Sequence, residues 1–128
     1  MRGLPDRAGA TKAAVVTLSN ALRVESQGRI KVTVVRPSGV IDTNLASGIL
    51  DFTAPAALAA HRAPQLQEHI EQLMAGSVPP QADDRDDVRY WSLRAADVAA
   101  EVVTLIDAPL GVAITDVTLR ATGEDYVH

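Results

Sequence analysis

Apolar and polar positions follow different rhythms along the chain, and each change of rhythm marks an element. In GATKAAVVTLSNALRVESQG, Ala14, Leu18, Ala21 and Leu22 recur at helical spacing, which predicts a helix over residues 7–27. Ala10, Ala13, Val15, Val16 and Val24 spread apolar character well beyond that stripe, so this helix asks for cover on two sides. Pro5 lies before it, and Gly28 supplies a stop. The next run, IKVTVVRP, is β-branched, nearly continuous in apolar residues from Val32 to Val35, and ended by Pro37. It predicts a strand over 30–36 of the kind that a parallel sheet buries on both faces.

A loop with Gly39 follows, then a small helical insert over 43–76, in which Leu66, Ile70, Leu73 and Met74 fit one helical stripe. Pro64 is expected to break or kink it, and Gly76 to end it. Residues 77–92, with SVPPQADDRDDVR, are rich in Pro and Asp and predict an exposed loop. A helix over 93–107 buries Val98, Val102, Leu105 and Ile106 and closes at Asp107-Ala108-Pro109. GVAITDVTLRAT then alternates like a strand over 111–120, and the tail GEDYVH has no strong preference. Two strands joined through a helix predict one parallel βαβ unit with a right-handed crossover. The fold class is therefore α/β, with residues 1–128 forming a single partial domain.

Composition removes several functions. The net charge is −4, and no Lys/Arg cluster interleaves with aromatics, so the chain is not expected to bind nucleic acid. There are no cysteines, hence no disulfide, thiolate metal site or cysteine nucleophile. No stretch approaches the roughly 20 apolar residues of a membrane span, and no secretory signal opens the chain, so no membrane association and a cytoplasmic location are expected. His61 and His69 stand two helical turns apart, too far for one tetrahedral metal. The Asp83, Asp84, Asp86, Asp87 cluster lacks the Gly and terminal Glu of a calcium loop, and no G-x-S-x-G elbow is present. No metal is expected.

GATKAAVVTLSNALRVE, followed by IKVTVVRPSGVIDTNL, resembles the short-chain dehydrogenase/reductase family from its active-site helix through its sixth strand and the loop after it. AADVAAEVVTLIDAP with GVAITDVTLRATG resembles that family's last helix and last strand. The resemblance covers most of residues 7–123 and corresponds to the C-terminal half of the family's domain, a Rossmann-like, doubly wound parallel sheet. It implies an NAD- or NADP-dependent oxidoreductase acting on a small-molecule carbonyl/alcohol pair. In the family, a tyrosine four residues before a lysine donates the proton as hydride arrives, and the lysine binds the nicotinamide ribose and lowers the tyrosine's pKa. Here the lysine is Lys12 and the tyrosine position is Ala8. The loop after the strand supports the nicotinamide carboxamide, which assigns Pro37, Gly39, Val40, Ile41 and Thr43 to the cofactor. Ser38 separates Pro37 from Gly39, where the family has proline and glycine adjacent, so the loop path is expected to differ.

These 128 residues contain no Gly-rich phosphate turn, whose glycines let the backbone approach a pyrophosphate. The resemblance therefore implies a truncated or degenerate member with little or no intrinsic activity. For each residue a plainer role stands beside the chemical one. Lys12 reads as an exposed lysine, Gly39 as a tight turn, Thr43 as a helix cap, and Tyr90 and Tyr126 as packing residues rather than substitute acids. The alternative to an enzyme is a non-catalytic oligomerisation or interaction module derived from the same fold. A two-stranded sheet is a poor folding unit. Roughly 300–400 Å² of uncovered apolar helix surface forgoes about 8–10 kcal/mol of burial. A homo-oligomer or a complementing half is the expected partner.

Overall fold

The structure is a computed structural model that describes residues 4–44 and 59–125, with side chains in the first helix described from residue 9. The described chain is a mixture of helix and strand. Its elements are α1 (Leu4–Glu25), β1 (Val34–Pro37), a 3-10 turn (Ala60–Arg62) running into α2 (Ala63–Ala75), α3 (Pro80–Asp83), α4 (Ala95–Ile106) and β2 (Asp116–Leu119). Residues 45–58 of the expected insert lie outside the described residues. The chain divides into two compact units where the sequence suggested one partial domain, the first made of Met1–Arg36 and Ala99–Leu119, the second of Pro37–Val98 and Arg120–His128.

In the first unit β1 and β2 form a two-stranded parallel sheet. The strands, Val34–Pro37 and Asp116–Leu119, are shorter than the predicted 30–36 and 111–120. Residues 30–33 run without ladder partners and are held by side chains instead. Thr33 donates its hydroxyl to the Ile114 carbonyl at 2.6 Å. Lys31 donates to the carbonyls of Ala108, Pro109 and Val112 at 3.1, 2.6 and 2.8 Å, a cation placed just beyond the C-terminus of α4.

Helix α1 begins at Leu4, earlier than predicted, since Pro5 sits inside its first turn, where a missing N–H costs nothing. It ends at Glu25, and Gly28 takes the left-handed conformation (φ 79°) that closes the turn after it. Val16, Ser19 and Arg23 are half-buried and mark the face that packs. The Arg23 guanidinium crosses to the Val32 carbonyl at 3.1 Å and the Thr115 carbonyl at 3.1 Å. Well round the helix, Ala14, Val15, Leu18, Ala21 and Leu22 are exposed, Leu18 by 69%. The predicted stripe is therefore the uncovered one. Helix α4 likewise holds no fully buried residue, and Ile106, expected on its core face, is exposed.

The second unit carries the core. Ala59, Leu66, Ala82 and Trp91 are buried together, with Ile41, Ala63, Ile70 and Val78 packed against them. Pro64 lies in the first turn of α2, and the helical stretch changes from 3-10 to α geometry just before it, so the interruption expected there falls at the start of α2. Gly76 (φ 67°) caps α2 by donating its N–H back toward Gln72 and Leu73. The expectation for residues 77–92 is corrected. This segment contains the short helix α3 and four buried residues, Ala82, Tyr90, Trp91 and Ser92. Its Pro and Asp residues do shape turns, but those turns fold inward around one alanine and two aromatics.

Candidate functional site

The residues assigned to the cofactor loop come together, and the way they do so limits what they offer. Pro37 ends β1 and is exposed. The Gly39 carbonyl accepts the Ser92 hydroxyl at 3.1 Å. Val40 forms a parallel bridge with Leu93, and the Ile41 N–H donates to the Leu93 carbonyl at 3.1 Å. Thr43 donates its hydroxyl to the Val40 carbonyl at 3.1 Å, and the helix it was expected to cap lies outside the described residues. Asp42 serves α4 instead, its Oδ1 accepting the Ala95 N–H at 2.7 Å. Ile41 also lines a cavity of about 260 Å³ with Trp91, Ser92, Asp83 and Arg94, and the last two form an ion pair.

Lys12 is exposed on α1, in the first unit, and the loop belongs to the second. Ala8 lies in α1, and an alanine at the tyrosine position has no proton to give. The Ile41 amide and the Thr43 hydroxyl, two donors the resemblance would aim at a nicotinamide, are both engaged within the chain. The 128 residues contain no Gly-rich phosphate turn.

Tyr90 is buried, and its hydroxyl donates to Asp97 Oδ2 at 2.7 Å. Burial first, and the Asp97 carboxylate second, push its pKa up to about 12. Asp97 also accepts the Arg94 backbone N–H at 2.9 Å, the main cause of a carboxyl held below its ordinary range. Arg85 adds an ion pair at 3.2 Å. The Asp97–Arg94 bond is the return half of a capping box at the start of α4. Tyr126 lies outside the described residues.

The most deeply buried polar residue among those described is elsewhere. Asp125 is 1% exposed. Its Oδ1 accepts from Arg62 at 3.1 Å, and its Oδ2 accepts from His69 Nδ1 at 2.6 Å and from Trp91 Nε1 at 2.9 Å. A carboxylate only accepts, so the His69 proton on this side sits on Nδ1. The His69 ring lies against Trp91, with centroids 4.9 Å apart.

No family model, curated protein or solved structure matches this chain.

Among the described residues, no group of three or more His, Cys, Asp or Glu side chains is placed to hold a metal ion. None of the described helices is long and apolar enough to cross a membrane. The polar centre at Asp125 escaped the sequence reading because its partners lie 34 to 63 residues from Asp125 in the chain. One signal did point toward it. Trp91, the sole tryptophan of an aromatic-poor chain, lies within an otherwise polar segment.

Proposed function

We propose that this chain is the C-terminal part of a domain similar to the short-chain dehydrogenases/reductases. The parent chemistry is hydride exchange between NAD or NADP and a carbonyl/alcohol pair, in a cytoplasmic setting. The observation that carries this reading is the parallel pairing of β1 with β2 across an intervening helical segment. It pairs the strand ending in Arg36-Pro37 with the strand that follows the closing helix.

In this reading the 128 residues supply scaffold and loop rather than reaction. A proton-donating phenol is lacking at position 8, and two of the loop's donors are already used. The test is calorimetric titration with NAD(H) and NADP(H). No micromolar binding and no reduction of a ketone by this chain alone are expected. Either one, if observed, refutes the reading.

A second reading, an assembly module, is favoured by the exposed α1 stripe of Ala14, Val15, Leu18, Ala21 and Leu22. The occupant it fits is a second copy of the same helix. An isologous antiparallel pair sets this apolar stripe against itself. Sedimentation is expected to show a dimer that Ala14→Asp splits. A compact monomer with a cooperative melt removes this reading.

A further inference from the structure

We propose that Arg62, His69 and Trp91 form a carboxylate receptor, filled in cis by Asp125, and that the segment Arg120–Asp125 is a releasable strap on the second unit. The three donors come from three separate elements: the 3-10 turn, α2, and the segment before α4. All three converge on one carboxylate at 2.6–3.1 Å, using both of its oxygens. The Arg62 and His69 side chains are 43% and 26% exposed, while the Asp125 side chain is fully enclosed. The receptor thus reaches solvent on one side, and the carboxylate is the part that is tucked in.

Two further bonds tie the strap to the rest of the unit. The Gly123 N–H donates to the Tyr90 carbonyl at 2.8 Å, and Ser38 donates its hydroxyl to Glu124. The segment belongs to no helix or strand, so no ladder of backbone bonds secures it. What it touches is consequential. Residues 90–93 bind the strap at Tyr90 and Trp91, and bind the Gly39–Ile41 backbone at Ser92 and Leu93. Ser38, at the start of the same loop, meets the strap directly. Seating or releasing Asp125 is therefore felt in the loop Pro37–Thr43. This inference does not rest on the oxidoreductase reading, because it concerns only how the chain binds its own carboxylate.

The test is chemical rescue of Asp125→Ala, followed by Trp91 emission and amide exchange. Removing the side chain leaves an empty carboxylate-shaped site, so Trp91 emission is expected to shift to the red. The Ile41 amide is expected to exchange at least about tenfold faster, since breaking a buried ionic contact opens the structure locally. Sodium acetate then restores both signals, and sodium chloride at equal ionic strength does not. The wild-type chain ignores acetate, because its tethered carboxylate is present at an effective concentration on the order of millimolar or more. If Asp125→Ala loses its helical signal, acetate is expected to refold it. A variant that responds to acetate and chloride alike, or that stays unfolded in excess acetate, overturns the receptor. An Ile41 amide exchanging at the wild-type rate overturns the strap.

Discussion

Replacing Asp97 with alanine removes three interactions that the structure resolves separately. The return half of the capping box, Arg94 N–H to Oδ2 at 2.9 Å, is a helix cap whose loss costs about 1 kcal/mol. The Tyr90 hydroxyl, buried and bonded at 2.7 Å, is left without its acceptor, at a cost of about 1–3 kcal/mol. The Arg85 pair, whose cation is 61% exposed, adds less than about 1 kcal/mol. Asp97→Ala is thus expected to destabilise by about 2–4 kcal/mol, read as a lower urea midpoint at unchanged slope with Trp91 emission as the probe. Tyr90→Phe alone should cost about 1 kcal/mol, since Asp97 keeps two donors. The double variant should be less unstable than the sum, because phenylalanine removes the group that alanine orphans. The pH dependence carries a sign. Asp97 titrates below its ordinary 3.8 in the folded chain, so its contribution is fully present above that value and is lost as pH falls through the lowered one. The gap between wild type and Asp97→Ala should stay constant near neutrality and narrow below about pH 4. A gap under about 0.5 kcal/mol, or strict additivity in the cycle, refutes the reasoning.

Three other outcomes are expected. Tyr90 has its pKa raised to about 12, so wild type should lose stability as pH climbs from 10 toward that value, and Tyr90→Phe should not; alkaline melts compare them. Arg23→Met deletes guanidinium bonds to the carbonyls of Val32 and Thr115 and should cost about 1–3 kcal/mol in urea, with faster exchange of the α1 amides. Gly123→Ala places a Cβ 2.6 Å from the Arg89 carbonyl oxygen, so the strap must shift; a loss of about 2 kcal/mol or more and a changed Trp91 emission are expected in thermal melts.

Local chemistry was legible in the sequence, and convergence was not. The helical spacing of α1, the Gly28 and Gly76 stops, and two strands able to pair in parallel are consequences of neighbouring residues, which propensity and period report directly. Pro5 was misplaced for a local reason too: proline ends a helix from the inside and starts one from the first turn, and composition does not distinguish the two. The inward fold of residues 77–92, the Asp97 bond network and the seat of Asp125 depend on where separate segments meet. A carboxylate in a tail of no preference gains its partners only when a turn, a helix and a tryptophan close around it. The same distinction separates the two sides of α1. Its apolar spread is written in the sequence, but only the docking of Arg23 decides that Val16 and Ser19 pack while Leu18 stays in water. Periodicity measures how residues relate along one element, whereas burial is set by what that element meets.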